Sequence, residues 1–432
     1  MNKAEAQEAI ETTNRWKPYP SYKDSGIDWV GRLPDHWQIM PIWMLFSLGR
    51  GRVISNIEIS NHKGVFPVYS SQTEDKGILG FLDTYDFDGK YLTWTTDGAN
   101  AGTVFVREGK FNCTNVCGTL KSKFKLDYHF CCYTLNHATS WFVRQDINPK
   151  LMNNVMASIR IQFPPLAEQL LIAAFLDRET SRIDALIAKK QRQIELLQEK
   201  RTALISHAVI KGLNPDTKMK DSGIEWLGEI PEHWTLLSIK RLTLVKRGAS
   251  PRPIDDPKYF EDEGEYAWVR IADVTASHRY LETTTQRLSE LGKSLSIPLE
   301  PGDLFLSIAG TVGKPIITKI KCCIHDGFVY FPQYYENKEF LYYIFASGQP
   351  YQGLGKWGTQ LNLNTDTVGG IHIGLPPRDE QDKIVAFLDF ETQQVDVMIK
   401  KVNSSISLLQ EYRTALISAA VTGKIDVRKE VA

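Results

Sequence analysis

Apolar side chains recur at alternating steps of four and three residues in two separate stretches of the chain. The spacing continues for about four heptads in each stretch, which predicts a long helix that pairs with another helix through a narrow apolar seam. The seam positions are Ile183, Ile187, Ile194, Leu197 and Leu204 in the first stretch and Val395, Ile399, Val402, Ile406, Leu409 and Leu416 in the second. Each seam also contains one arginine, Arg201 or Arg413. We therefore expect the two helices of one chain to pair with each other.

The alternative is that each helix packs its apolar stripe against a neighbouring globular segment, but such a stripe would be broader than these seams. Two consecutive prolines, Pro164 and Pro165, disfavour helix on their N-terminal side. We predict a short helix over 168–176 and a long helix from residue 180 to about residue 210. If a two-fold axis relates the two halves of the chain, the long helices run antiparallel.

The chain contains an internal duplication. Residues 23–37, here called the first box, recur as residues 220–234, the second box, with 10 of 15 positions identical. Residues 164–209 recur as residues 376–421 with 27 of 46 positions identical. The segments between box and helix show little likeness to each other. The repeated boxes and helix segments form a frame around two unlike inserts, which indicates that the frame has one function in both copies while each insert has a function of its own.

Both inserts contain short runs of β-branched and aromatic residues between turn residues, which is typical of strands. Short helical stretches lie between these runs. The predicted fold class is α+β (mixed α/β), with two twisted-sheet domains joined by two long antiparallel coiled-coil helices in a pseudo-two-fold repeat. The predicted segments are 1–37 (N-terminal segment with the first box), 38–163 (first insert), 164–212 (first helix block), 213–234 (linker with the second box), 235–375 (second insert), 376–425 (second helix block) and 426–432 (tail).

Composition narrows the class of protein. The 432 residues carry 51 Lys and Arg against 51 Asp and Glu, so the formal net charge is zero. This balance argues against a protein that holds nucleic acid by bulk charge alone, although it is compatible with local basic patches. With 42% hydrophobic and 24% charged residues, the chain has the composition of an ordinary globular protein.

The sequence predicts neither a targeting signal nor a disulfide framework. Residues 1–11 are polar, and no apolar run approaches the roughly 18 to 20 residues of a membrane span, so we expect a cytoplasmic protein without membrane contact. The cysteines are too few for a disulfide scaffold and are not spaced as zinc ligands, which predicts buried reduced thiols and no metal. They are Cys113, Cys117, Cys131, Cys132, Cys322 and Cys323.

No catalytic motif stands in the context that its chemistry needs. Residues 353–358 match G-x-G-x-x-G but follow a loop-like stretch instead of a strand. Residues 310–315 resemble a phosphate loop, yet Pro315 stands where a metal-binding hydroxyl would be required. His36 and His233 occupy matching box positions without a second catalytic group, so we expect a structural role for both. The chain is therefore predicted to be non-catalytic.

The inserts interleave basic, amide, hydroxyl and aromatic residues, the types that contact phosphates and base edges. The candidate DNA-binding residues of the first insert are Arg50, Arg52, Ser71, Gln72, Thr95, Thr96 and Asn100. Those of the second insert are Lys246, Arg247, Arg270, Lys314, Lys356, Trp357, Thr359 and Gln360. For any one of them a solvated surface role is an equally good interpretation, whereas the set on a two-part frame favours DNA contact.

Three duplicated segments carry a family resemblance. They are the box Asp-Ser-Gly-Ile-x-Trp-x-Gly-x-x-Pro-x-His-Trp, the helix start Pro-Pro-x-x-Glu-Gln-x-x-Ile-x-x-Phe-Leu-Asp-x-Glu-Thr and the helix end Leu-Leu-Gln-Glu-x-Arg-Thr-Ala-Leu-Ile-Ser. In this order they resemble the specificity subunit of type I restriction-modification enzymes. Residues 92–103 and 302–311 also look like that family's target-recognition domains. The resemblance extends over essentially the whole chain from about Trp16 onward.

The resemblance implies a non-catalytic subunit with two target-recognition domains. Each would read one half of a bipartite double-stranded DNA site, and the paired helices would set the unread spacer. Two methyltransferase subunits would dock on the helical frame, and restriction (translocase) subunits would join them. S-adenosylmethionine, ATP and Mg would be bound by those partners and no cofactor by this chain. Base-contacting residues do not carry over, because family members differ in their inserts.

A rival interpretation of the same residues is a stand-alone sequence-specific DNA-binding scaffold or repressor that dimerises through a coiled coil. A methyltransferase reading frame beside this one would favour the restriction-modification system. Because the net charge is zero, we expect weak, salt-sensitive DNA binding by the chain alone and tighter binding after assembly.

Overall fold

The computed structural model describes residues 16–143, 148–352 and 363–430. The chain forms two compact units. Unit 1 comprises residues up to 190 together with those from 403 onward, and unit 2 comprises residues 191–402. Within the described ranges, no helix combines the length and apolar character needed to cross a membrane.

Two helices, of 46 and 44 residues, are much longer than any other helix or strand. The strands are β1 (Tyr22–Asp24), β2 (Arg32–Pro34), β3 (Gln38–Pro41), β4 (Phe46–Arg50), β5 (Phe66–Tyr69), β6 (Ile78–Leu82), β7 (Phe87–Thr95), β8 (Val104–Cys113), β9 (Cys117–Ser122), β10 (Arg160–Phe163), β11 (Met219–Asp221), β12 (Glu229–Pro231), β13 (Thr235–Ser238), β14 (Lys246–Arg247), β15 (Tyr266–Val269), β16 (Tyr280–Leu281), β17 (Gln286–Leu288), β18 (Ile297–Leu299), β19 (Leu304–Ser307), β20 (Pro315–Thr318), β21 (Cys322–Ile324), β22 (Phe328–Tyr330) and β23 (His372–Leu375). The helices are α1 (Ile42–Leu45), α2 (Asn56–Asn61), α3 (Tyr128–Thr139), α4 (Asn153–Ser158), α5 (Leu166–Lys211), α6 (Ile239–Leu242), α7 (Ile271–Ala276), α8 (Glu290–Ser294), α9 (Lys338–Ala346), α10 (Thr365–Gly370) and α11 (Arg378–Val421).

The first long helix, α5, is continuous, so the predicted break between residues 176 and 180 is wrong. Thr180 does not cap a new helix, because its hydroxyl donates to the Leu176 carbonyl at 2.6 Å, one turn earlier in the same helix. Glu179 is 5% exposed and pairs with Arg178 and Arg182 at 3.2 and 3.0 Å. With no glycine or proline at residues 177–179, nothing interrupts the backbone hydrogen bonds.

The two long helices pair antiparallel, as predicted. In unit 1, Arg413 forms two hydrogen bonds with Asp184, at 2.9 and 3.2 Å. In unit 2, Arg201 lies 3.7 Å from Asp396. The residue numbers of each pair add up to 597, as an antiparallel pair in constant register requires. None of the eleven predicted seam side chains is exposed.

The first insert is built on a six-stranded sheet with strand order β4-β9-β7-β8-β5-β6. Neighbouring strands are antiparallel except β5 and β8, which are parallel. Trp94 and Phe130 are fully buried in a core shared with the first turns of α5, including Phe175. Strand β3 pairs with β10, so both ends of the insert meet where it joins the frame.

Apart from β13 and β23, the second insert divides its strands between two sheets. One has the order β14-β22-β19-β20-β16 and the other β17-β15-β21-β18, in which β15 and β21 are parallel. Helix α9 is apolar on nearly every side, and Phe340, Leu341 and Phe345 are fully or almost fully buried. Strand β13 pairs with β23 in the same way as β3 with β10. The predicted α+β class with twisted-sheet inserts on a paired-helix frame is confirmed.

Candidate nucleic-acid interface

The first box closes onto the start of α5 through one buried carboxylate. Glu168 is 5% exposed and accepts a hydrogen bond from Trp37 Nε1 at 3.1 Å, while His36 Nε2 lies 2.8 Å from its second oxygen. Tyr19 also donates its hydroxyl proton to this carboxylate. The box histidine therefore has the structural surroundings expected for it, with an acidic side chain as its partner.

The second box repeats this cluster at the start of α11. Trp234 Nε1 donates to Glu380 at 3.1 Å, and His233 Nε2 lies 2.8 Å from the other oxygen. No tyrosine joins the second cluster in the described part of unit 2, and 26% of the Glu380 side chain is exposed against 6% for Glu168. The two copies therefore share their geometry but differ in burial.

The residue after this carboxylate fixes each insert to the frame. Gln169 accepts a hydrogen bond from the backbone nitrogen of Asp127, the N-cap of α3, at 2.9 Å. Gln381 accepts the corresponding bond from Asn337, the N-cap of α9, at 3.1 Å. The duplication thus continues into the inserts, to a depth where the sequences no longer show it.

Two candidate arginines are exposed and oriented by the backbone. Arg50 Nε donates to the Asn115 carbonyl at 2.6 Å, and Arg247 Nε donates to the Asp326 carbonyl. Arg52 differs, because its guanidinium pairs with Glu58 at 2.7 Å and with Asp86 at 3.0 Å. The hydrogen bond that Arg52 donates to the Glu58 carboxylate raises the pKa of Arg52 above its usual value. Its charge is thus already compensated within the chain.

Thr95 and Thr96 are not available for DNA contact, and their prediction as contact residues is wrong. They are 1% and 0% exposed, and the Thr95 hydroxyl donates to the Asn100 carbonyl. Both faces of this end of β7 are covered, so the alternation of side chains along the strand does not place either threonine on an exposed face. Asn100 itself is exposed, as is Gln72, whose amide donates to the Ile78 carbonyl. Ser71 is half-buried.

Lys314 also has a structural role that was not predicted. Its ammonium donates to the carbonyls of Thr275 and Ser277 at 3.0 and 2.6 Å, which closes the end of α7. Burial lowers the pKa of Lys314 below its usual value. Lys246 and Arg270 are exposed. The remaining candidates, Lys356, Trp357, Thr359 and Gln360, lie outside the described residues.

The structure adds Gln286 as a candidate that the sequence did not single out. Arg270 and Gln286 line a cavity of about 530 Å³ beside Asp255, Glu261 and Asp262. The Gln286 Oε1 atom is buried and accepts no hydrogen bond within the described ranges. An arginine beside amide and carboxylate oxygens has the donors and acceptors that read base edges. The sequence could have indicated that Gln286 lies near Arg270 only through the strand pairing, which places Gln286 opposite Trp268, two residues before Arg270.

Metal and thiol chemistry receive no support in the described part of the chain. There, no group of three or more His, Cys, Asp and Glu side chains could hold a metal ion. All six cysteines are free thiols, and five are buried. Burial raises the pKa of Cys322 and Cys323 to about 12, so both are protonated at neutral pH.

Comparison with known protein families yields one match, which occurs twice. The family model of the type I restriction modification DNA specificity domain matches residues 34–196 and residues 231–405, well over half of the chain. Both matches begin at the same proline of the two boxes.

Individual relatives give full-length or partial alignments. The MjaVIII type I restriction enzyme specificity subunit of Methanocaldococcus jannaschii is 25% identical over 428 residues, 92% of this chain and 95% of that relative. The MpnII specificity subunit of Mycoplasma pneumoniae is 46% identical over 129 residues, 29% of this chain and 39% of that relative. A proposed type I specificity subunit of the same organism is 44% identical over 149 residues, 33% and 41% of the two chains. The chain thus spans less than half the length of these two M. pneumoniae relatives.

Solved structures share the fold over nearly the whole chain. A chain from a structure of a type I restriction-modification system has a TM-score of 0.70 at 16% identity and covers 90% of this chain and 98% of its own. The HsdS subunit of Thermoanaerobacter tengcongensis has a TM-score of 0.51 at 17% identity, with coverage of 91% and 98%. At these identities the likeness concerns the fold.

Proposed function

The chain belongs to the type I restriction-modification DNA specificity family, and on that premise we propose that it selects the DNA sequence on which a type I complex acts. Each insert would read one half of a bipartite site. The chain would contribute no catalytic group of its own.

One observation supports this proposal: the same frame holds two inserts with different sheets. The carboxylates of Glu168 and Glu380 each accept a hydrogen bond from a box tryptophan and contact a box histidine, and Gln169 and Gln381 each accept a bond from the N-cap of an insert helix. The main sheets beyond them differ, with one six-stranded sheet in the first insert and a five-stranded and a four-stranded sheet in the second. A like frame with unlike inserts suits a protein that reads two different half-sites in a fixed order.

The paired helices would set the distance between the half-sites. Each of α5 and α11 begins in one unit and ends in the other, so in this proposal its length would set the separation of the half-sites. Residues added to both helices would therefore change the unread spacer. Two methyltransferase subunits would dock on this frame, with restriction subunits beyond them, and these partners would supply S-adenosylmethionine, ATP and Mg.

The intramolecular helix pair disfavours the rival repressor interpretation. A repressor of that kind needs a free coiled-coil helix to recruit a second chain, whereas here the two long helices already pair within one chain and none of their seam side chains is exposed.

Mapping methyladenine across the genome of cells that carry the complete operon tests the proposal. We expect a bipartite motif with a fixed unread spacer that disappears when this chain is deleted and returns when it is restored. A continuous motif, or methylation that persists without the chain, would contradict it.

A further inference from the structure

One corner of the sheet is built identically in the two inserts, although the sequences there share only the dipeptide Arg-Gly. Arg50, the last residue of β4, is paired with Gly118 in β9. Arg247, the last residue of β14, is paired with Val329 in β22. The residue numbers of the first strand differ by 197 between the two inserts, and those of its partner strand differ by 211. The two arginines therefore occupy equivalent positions.

The hydrogen bonds around the two arginines repeat in the same order. The nitrogen of the following glycine donates to Cys117 at 3.0 Å in insert 1 and to Phe328 at 2.9 Å in insert 2. The nitrogen of the next residue donates to Cys113 at 3.1 Å and to Ile324 at 3.2 Å. Each arginine Nε donates to a backbone carbonyl two residues further along, that of Asn115 in insert 1 and that of Asp326 in insert 2. All these contacts follow the same displacement of 211 residues.

A steric constraint explains why a glycine follows each arginine. A Cβ at Gly51 would lie 2.3 Å from the Thr114 carbonyl oxygen, and a Cβ at Gly248 would lie 2.2 Å from the equivalent His325 oxygen. The loop lies so close to the glycine that no side chain would fit between them, which explains why both inserts have a glycine here. This close approach is what places the loop carbonyl within reach of each arginine Nε.

The Nε hydrogen bond leaves the outer edge of each guanidinium for another ligand. Both arginines are exposed, and neither has a carboxylate within 4.0 Å among the residues that the structure describes. Asp326, the nearest acidic group on the loop of insert 2, is held by Arg252 at 3.1 Å and by the Ser250 hydroxyl at 3.1 Å. Two oriented N–H groups at the end of a fixed arginine match the oxygens of a phosphate.

We propose that Arg50 and Arg247 are equivalent anchors for the DNA backbone, each binding one phosphate of its own half-site; this inference rests on the proposed function. Two inserts that read different bases have only the sugar-phosphate backbone in common as a ligand. A side chain that is identical in position, orientation and support in both therefore contacts that common part, whereas residues that differ, such as Ser70 and Arg270 after the equivalent strands, are left to distinguish bases.

The test measures the affinity of the full-length chain, alone and in complex with its methyltransferase subunits, for two duplexes at several salt concentrations. One duplex carries the bipartite site and the other is an unrelated sequence of the same length. Arg50→Ala and Arg247→Ala should each weaken binding to both duplexes by about fivefold at 0.15 M salt, and should reduce the slope of log K against log salt by about one. Arg50→Lys should keep the slope, because it keeps the charge.

Lys90→Ala is the control, since Lys90 lies in the same insert, is not among the candidate DNA-binding residues and is paired at 3.5 Å with Glu108, whose side chain is solvated. It should change neither slope nor affinity by more than about twofold. The inference would be overturned if Arg50→Ala changed the ratio of specific to unrelated binding, or if Lys90→Ala weakened binding as much as Arg50→Ala. It would also be overturned if neither alanine variant altered the slope while the melting temperature stayed unchanged. Absence of any bipartite motif for the wild type would instead count against the proposed function, and the salt slopes would still report on the two arginines.

Discussion

Replacing Glu168 by alanine should destabilise unit 1 more than the equivalent Glu380→Ala change destabilises unit 2. Glu168 is 5% exposed and accepts hydrogen bonds from Tyr19 and Trp37, which are themselves 3% and 0% exposed. After truncation, both donors would remain buried without an acceptor, and each costs about 1 to 3 kcal/mol. The expected loss in the free energy of unfolding is therefore about 4 kcal/mol.

The Glu380 cluster offers a matched comparison within the same chain. It has one buried donor, Trp234, and a half-exposed His233 that water can solvate after the carboxylate is removed. The expected loss is about 2 kcal/mol. For units of roughly 200 residues, each kcal/mol lowers the melting temperature by about 2 to 4 °C, so the two variants should differ by about 6 °C.

Differential scanning calorimetry of the wild type and both single variants measures this difference, with Glu168→Gln as a variant that keeps an acceptor for Trp37. We expect Glu168→Gln to melt between the wild type and Glu168→Ala. Equal shifts for the two alanine variants, or a larger shift for Glu380→Ala, would refute the assignment of Glu168 as the more deeply buried acceptor.

Three further predictions follow from individual contacts. Reversing the charge in Arg413→Asp should lower the stability of the helix pair by about 1 kcal/mol, and adding Asp184→Arg should restore it, as urea denaturation of the single and double variants would reveal; no recovery would mean that the pair contributes nothing. Because burial raises the pKa of Cys322 and Cys323 to about 12, their thiolate fraction at pH 8 is negligible, and both should react with a thiol reagent only after unfolding; rapid labelling of the folded chain would contradict their burial. Gly51→Val should destabilise the first insert by several kcal/mol, since its Cβ would overlap a backbone carbonyl, and an unchanged melting temperature would show that the loop can move aside.

The frame could be predicted from the sequence because its signals are local and repeated. The heptad spacing identified the seam, and the duplicated arginines Arg201 and Arg413 indicated a recurring polar layer. Their acidic partners, Asp184 and Asp396, were also identical in both copies, but only the antiparallel register shows which arginine meets which aspartate. The break predicted near residue 178 failed because Thr180 is as compatible with a helix interior as with a helix cap.

The recognition surfaces were less accessible to sequence reasoning, because they depend on pairing between distant strands. Arg50 and Arg247 stood among fifteen candidates with nothing to set them apart, since their equivalence rests on hydrogen bonds to segments about 65 and 80 residues away along the chain. Thr95 and Lys314 carried suitable chemical groups, yet one side chain is buried in the sheet and the other is used to close a helix end. Residue type therefore identified the chemistry of the site but not its accessible members.

The most direct test of the central claim is an exchange of one insert. Residues 38–163 would be replaced by the corresponding segment of another family member, leaving both boxes and both long helices intact, and methyladenine would be mapped in cells that express the complete complex. We predict that one half of the methylated motif changes to that of the donor, while the other half and the spacer stay as they were. A change in both halves, or in neither, would contradict the reading of two half-sites by two independent inserts on one frame.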